Sequence, residues 1–328
     1  MNDARRKAVC AAMSALSWPL WRAALAQDRR YPSRSIRLII PFAPGSGADV
    51  LARVIAEAVA AQTGVSVVPE IMEGAGGAIG AAVVAKGPPD GYTLLTASTP
   101  MTLAPYMMKP MPYDPAKDFA AVVRVCVVPM VLVTSGKAPW NTFQDLIAHI
   151  RANPGKVNYA TGGKGTLSHL EVELIGSAFG LQMQDIPYKS GTVGLTDTIS
   201  QRVEFFVASL PAVLGHIQSG ALRALAVGSP NRVPALPDVP TLAEAMGKPN
   251  YEATVWYGFA MPSGTPPDVT ARLDQEIRRA AATPSVRARI EQVGGLISLA
   301  GPPEFGTQIR SESEKWAGIV KKLKLTSE

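Results

Sequence analysis

Ile36-Arg37-Leu38-Ile39-Ile40-Pro41-Phe42-Ala43-Pro44-Gly45-Ser46-Gly47-Ala48-Asp49-Val50-Leu51 is the stretch that decides the fold. Its first five residues are mostly apolar and read as a strand, and the proline- and glycine-rich segment after them ends it. Val50, Leu51, Val54, Ile55, Ala58 and Val59 then repeat at helical spacing. Downstream, Val65 to Ile71 reads as a second strand, Ala78 to Lys86 as a second helix and Tyr92 to Thr96 as a third strand. A βαβαβ order implies a parallel sheet covered by helices on both faces.

The same grammar restarts after Val127. Strands are expected at Val127 to Thr134, Val157 to Ala160, Gln184 to Ile186, Val203 to Val207 and Leu222 to Val227. Helices are expected between them at Thr142 to Arg151, Ser168 to Phe179, Gly194 to Ser200 and Pro211 to Ser219. A proline-rich connector, Asn231 to Pro240, leads to an apolar strand at Trp256 to Met261 and two amphipathic helices, Pro267 to Ala282 and Pro303 to Lys322. The fold class is therefore α/β in two lobes, each a mostly parallel sheet flanked by helices. A length of 328 residues agrees, being about twice the ~150-residue prior for one domain.

Composition narrows the function. With 47% hydrophobic and 18% charged residues, disorder, collagen and coiled coil are excluded. The N-terminus reads as an export signal: Arg5, Arg6 and Lys7 precede the largely apolar Ala8 to Ala24, and Ala24-Leu25-Ala26 fits the small-x-small cleavage rule. Cleavage after Ala26 would leave Gln27 as the mature start and lower the net charge from +6 to +3, too little to argue for a nucleic-acid partner. It would also remove Cys10, leaving Cys126 without an intrachain disulfide partner. The expected location is the periplasm.

In open parallel sheets, ligands bind beyond the carboxyl ends of strands, where helix N-termini offer unpaired N–H groups. Pro41 to Asp49 is the first such loop, and its glycines let a backbone approach a ligand. Ser46 and Asp49 have capping-box spacing, which would turn the carboxylate back onto its own helix start. Thr161-Gly162-Gly163-Lys164-Gly165-Thr166-Leu167-Ser168-His169 holds the same position in the second lobe, and Ser168 with Glu171 repeats the cap spacing. Two such loops could grip both ends of a dicarboxylate. Gly74-Ala75-Gly76-Gly77-Ala78-Ile79-Gly80 is not a dinucleotide loop, because Ile79 stands where the third glycine belongs. Gly76 and Gly77 are counted as candidate ligand contacts, as is Ser98 beyond the third strand.

Chemistry beyond binding has little support. His149, His169 and His216 are dispersed, with no metal-site spacing. His149 and His216 read as helix-surface residues, and His169 is better placed to touch a ligand. A hydrolase using Ser46 or Ser168 with His169 would lack a nucleophile elbow. Lys189 could neutralise a carboxylate. No enzyme activity, metal or cofactor is expected.

Taken in order, the motifs resemble the Bug-type (TctC-like) extracytoplasmic solute receptors of tripartite tricarboxylate transporters. They are Tyr31-Pro32, Ile39 to Gly45, Gly74 to Gly77, Pro89-Asp90-Gly91-Tyr92-Thr93-Leu94-Leu95, Tyr113-Asp114-Pro115, Asp118-Phe119, Ser168-His169-Leu170, Pro187-Tyr188-Lys189, Leu222 to Val227 and Ala235 to Thr241. The resemblance implies a monomeric Venus-flytrap receptor of the type II periplasmic-binding-protein fold. Its lobes would be residues 27–125 with 254–328, and 126–253, with hinge crossings at Cys126 to Thr134 and Trp256 to Met261. It further implies a small mono- or dicarboxylate ligand, delivered to membrane subunits of a tripartite tricarboxylate-type transporter or read by a sensor protein. Carried over by position, the ligand contacts are Phe42, Gly45, Ser46, Gly47 and Asp49 on one side and Thr161, Gly163, Gly165, Thr166, Ser168 and His169 on the other. This chain departs from the family at Gly45-Ser46-Gly47-Ala48-Asp49, where Gly-Gly-Gly-Thr-Asp is common, and at Ile71-Met72-Glu73, where Asn-Arg-Pro is common. Ala208 stands where many relatives have Asp or another polar residue, which argues against an amino-acid ligand.

Overall fold

The structure, a computed structural model, describes residues 31–163, 166–188, 191–249, 251–292 and 294–323. The export signal expected at 1–26 and the mature start Gln27 lie outside the described residues, as do Gly165 and Lys189.

The chain opens with β1 (Ile36–Ile40), α1 (Gly47–Thr63), β2 (Val67–Ile71), α2 (Ala78–Ala85), β3 (Thr93–Ser98) and the short α3 (Thr99–Leu103). Ser46 caps α1 by accepting from the Asp49 amide, and Gly64 ends it in the left-handed conformation, donating its N–H to the Ala60 carbonyl. Leu51, Ala52, Ile55, Ala56 and Val59 form the buried stripe of α1, each large member contributing about 1.5–3 kcal/mol when fully buried.

A 17-residue strand, β4 (Phe119–Ser135), follows, and it begins eight residues before the expected Val127. Register shifts after Ala121 and Arg124 break the alternation that would have marked this start, and Val122 to Val133 are buried on both faces except at Arg124. Beyond it run α4 (Phe143–Ala152), β5 (Asn158–Thr161), α5 (Leu167–Phe179), β6 (Gln184–Pro187), α6 (Gly191–Ile199), β7 (Phe205–Ser209), α7 (Leu210–Gln218), β8 (Leu222–Val227) and α8 (Leu242–Met246). β9 (Thr254–Pro262), α9 (Pro267–Ala281), α10 (Pro284–Gln292), β10 (Leu296–Ala300) and α11 (Pro302–Leu323) complete the order.

Each half of the sheet is mixed. β1 pairs in parallel with β2 and β3, as the βαβαβ pattern requires, but β9 lies antiparallel beside β3, and β4 antiparallel beside β9. In the other half β5 pairs in parallel with β6 and β7, whereas β7 and β8 run antiparallel to β4. β4 changes partner at one point: Pro129 is the last residue to pair with β9, and Met130 the first to pair with β7. There Met130 donates to the Ala253 carbonyl and accepts from Gly228, whose own carbonyl accepts from Ala253. A Cβ on Gly228 would lie 2.1 Å from the Ala253 oxygen, so this crossing requires glycine. Trp256 to Met261 does not make a crossing of its own, because all of β9 pairs within the first half; the chain passes between halves just before it, at Ala253 and Thr254.

Apolar clusters cover both faces of both halves. Leu38, Ile40, Leu94 and Phe259 pack on α1, α9 and α10, and Ile39, Leu95 and Trp256 on α2 and α11. Tyr159, Phe205 and Val207 pack on α4 and α5, and Phe206 and Ala208 on α6 and α7. Leu103, Leu170, Trp316 and Val320 join α3, α5 and α11 in a further cluster that ties the two halves together.

Candidate functional site

The first loop is held from within. The buried Asp49 carboxylate accepts the Gly45 amide at 2.9 Å through one oxygen and the Arg53 Nε–H at 2.7 Å through the other. It reaches Gly45 rather than the Ser46 amide, which donates to the Ala43 carbonyl, so the capping box is displaced by one residue. The amides of Gly47 and Ala48 begin α1 and have no acceptor within the helix. Gly47 lies against Tyr257 of β9, whose hydroxyl oxygen is 3.5 Å from where a Gly47 Cβ would be.

The second loop is held by hydroxyls. Thr161 donates to Asp185 at 2.6 Å and accepts from the Gly163 amide. Thr166 donates to the Gly163 carbonyl at 2.7 Å, its oxygen lies 3.0 Å from that of Ser168, and Ser168 accepts from the Gly162 amide. The expected Ser168 cap is corrected: Thr166 is the N-cap of α5, and Ser168 sits inside the first turn. Glu171 makes no capping box, because its buried carboxylate turns away to accept the Tyr251 hydroxyl at 2.8 Å. Burial pushes its pKa up, against the pull of Lys315 and of the Tyr251 hydrogen bond. The Glu312 carboxyl, on α11, is also raised by burial while accepting from Trp256 Nε1 at 2.6 Å.

A cleft of about 540 Å³ opens in the second half, bordered also by Val255 and Tyr257 of β9. Gly162 and Ser168 stand at one side, Gly191, Thr192 and Leu195 of α6 at another, and Ser209, Ala212 and His216 along α7. Met130, Phe206, Val207, Ala208, Val255 and Tyr257 form the floor. The N-termini of α5, α6 and α7 therefore all border the cleft, and that of α1 packs against Tyr257, which lines it. Helix N-termini favour anions. No Asp, Glu, Lys or Arg stands among the described residues lining this cleft. Burial pushes the Tyr257 phenol up to about 12, which keeps it a neutral hydrogen-bond donor at physiological pH. Ser98 is the direct cross-strand partner of Tyr257, and its buried hydroxyl, like that of Thr96 two residues before it, has no hydrogen-bond partner among the described residues. Orphans of this kind are ordinarily met by an ordered water or a ligand oxygen.

The candidate residues thus divide. Ser168 lines the cleft, Gly47 adjoins it behind Tyr257, and Ser98 lies beside Tyr257. Phe42 packs over Gly77, its ring 3.1 Å from where a Gly77 Cβ would be, which joins the first and third loops; Gly76 is exposed. Gly45 and Ser46 shape the first loop, and Thr161, Gly163 and Thr166 shape the second. Asp49 does not reach the cleft. It borders a separate groove between α1 and α10, with Arg53, Glu57, Ser285 and Arg289. His169 is buried and is not part of the cleft lining. Tyr257, in an apolar strand, is not singled out by the sequence; His216 is exposed on α7, as its spacing suggests, and also lines the cleft with Ser209 and Ala212 on one helical face.

Residues 51–325 match the family model described as the tripartite tricarboxylate transporter family receptor, TctC. Protein BugT of Bordetella pertussis (strain Tohama I) is 37% identical over 293 residues, covering 89% of this chain and 90% of that protein. The crystal structure of a TctC solute-binding protein from Polaromonas superposes with a TM-score of 0.80 at 27% identity, covering 89% of this chain and 99% of that one. The structure of R. palustris Rpa4515 with adipate does so with a TM-score of 0.73 at 31% identity, over 89% of this chain and 97% of that one. With this α/β periplasmic-binding-protein fold and a family match over most of its length, the chain belongs to the TctC family of solute-binding receptors.

Proposed function

We propose that this protein is a periplasmic receptor that binds one small mono- or dicarboxylate between two lobes, residues 27–125 with 254–328 and residues 126–253. Exported through its first 26 residues, it passes the ligand to membrane subunits of a tripartite tricarboxylate-type transporter. The observation that carries this reading is the convergence of helix N-termini on a cleft whose described lining has no charged side chain. Amides of α1 and α5, with the Tyr257 and Ser168 hydroxyls, would take the carboxylate oxygens, and closure of the lobes would strip away water. The adipate bound to the R. palustris relative is a ligand of this chemistry. Ala208 in the floor provides no counter-charge for an ammonium group.

Thermal denaturation and calorimetric titration of residues 27–328 with a panel of mono- and dicarboxylates test this reading. A ligand present at a hundred times its Kd stabilises by about 2.7 kcal/mol through linkage. The reading predicts such a rise for at least one carboxylate without an amine, and no rise across the panel would refute it.

A further inference from the structure

One side chain of the cleft lining, His216, stands in the last turn of α7. Ser209, Ala212 and His216 lie on one face of α7 and line one wall. Ser209 is the N-cap of α7 and His216 lies seven positions on, so at about 1.5 Å per residue the two stand roughly 10 Å apart along the helix axis. The facing wall is Thr192 and Leu195 of α6, and the floor beneath is Phe206 and Ala208. The polar groups of the second loop, the Gly162 amide and the Ser168 hydroxyl, meet just beyond β5. Between that end and His216 the lining carries Leu195 and Ala212, which offer van der Waals contact to an apolar body, with the Thr192 hydroxyl beside them. The exposed His216 is the only side chain with an ionisable nitrogen among the described residues lining the cleft. An imidazole N–H can donate to a carboxylate whether or not the ring is protonated.

We infer that His216 is a specificity-determining residue: it receives the distal acidic group of an elongated ligand whose first carboxylate is held at the helix N-termini and whose body is aliphatic or aromatic. The inference rests on the carboxylate-receptor reading and sharpens it, because it separates long two-ended acids from short ones and from one-ended acids of equal length. Succinate is too short to bridge the two ends, and octanoate has nothing to offer His216.

Titration calorimetry with suberate, octanoate and succinate, on the wild type and on His216→Ala and His216→Gln, tests this. The wild type should bind suberate at least tenfold more tightly than octanoate or succinate, the scale of one charge-assisted hydrogen bond. His216→Ala should lose that advantage on suberate while leaving octanoate unchanged, and His216→Gln, which keeps an N–H donor, should recover part of it. Equal losses for suberate and octanoate, or no change for either, would overturn the inference while leaving the receptor reading intact. Failure of the wild type to bind any carboxylate, in this series or across the wider panel, would overturn both. The exposed position of His216 lets each variant fold, which its unliganded melting temperature verifies.

Discussion

Replacing Asp49 separates two roles for one carboxylate. A negative charge near the mouth of an anion site would repel the ligand if it faced the cleft, but this one is only 5% exposed and both its oxygens are engaged, by the Gly45 amide at 2.9 Å and by Arg53 at 2.7 Å. Asp49→Ala removes a backbone hydrogen bond to a charged acceptor, about 1.5–3 kcal/mol, at a helix start where losing a cap typically costs about 1 kcal/mol. The Arg53 side chain is 45% exposed, so its ion pair is screened and adds only about 0.5 kcal/mol. The loss should come to about 2–3 kcal/mol, a fall in Tm of roughly 5 °C for a chain of this size. Asp49→Asn can still accept from Gly45 and should lose about 1 kcal/mol. Neither variant should bind a carboxylate more tightly than the wild type, because a loosened Gly45–Ser46 turn presents the first α1 amides less well. Calorimetric titration with a matched pair, succinate and its 2-amino analogue, together with scanning calorimetry, reads both effects. Tighter succinate binding by Asp49→Asn, or a wild-type preference for the amino acid, would show that Asp49 acts on the ligand and refute the reasoning.

Three further outcomes are expected. Gly47→Ala fits, since its Cβ would stand at an ordinary 3.5 Å from the Tyr257 hydroxyl, whereas Gly47→Leu should abolish ligand-induced stabilisation with little change in the unliganded Tm; retention of the ligand response would remove Gly47 from the site. Glu171 has its pKa raised by burial, so its contribution is most favourable at pH below the ordinary carboxylate range and is lost as pH rises through the raised value. Glu171→Gln should therefore melt higher than the wild type at pH 8, with the gap closing as pH falls toward 4; a gap independent of pH would refute this. Intact-mass measurement of the protein recovered from the periplasm should find the chain starting at or within a few residues of Gln27, and retained Met1 would contradict the export reading.

Much of the fold was legible because local pattern and tertiary environment agree. In β1, α1 and β3 the apolar runs, the Gly-rich break and the helical stripe all point the same way. The five-residue α3 and α8 were not legible, since a single turn gives no periodicity and its stability comes from packing. β10 was hidden likewise, four half-buried residues and the buried Ala300, whose antiparallel place beside β4 is a long-range pairing. In the site, loop positions were legible but side-chain directions were not. Ser46 capped as its spacing suggested, while Ser168 and Glu171, with the same spacing, did not, because Thr166 begins the helix earlier and Tyr251 draws the glutamate away. Tyr257 enters only through the pairing of β9 with β3, which no local pattern encodes.

In the proposed complex a carboxylate is held in the cleft by helix N-termini contributed from both halves of the molecule. A crystal structure of residues 27–328 grown with the tightest-binding carboxylate of the panel tests it most directly. Carboxylate oxygens are expected within hydrogen-bond distance of the Gly47 or Ala48 amide and of the Ser168 end of α5, with the Tyr257 hydroxyl donating to the ligand. A carboxylate lodged instead beside Arg53 and Arg289 in the groove between α1 and α10, with the cleft unoccupied, would contradict it.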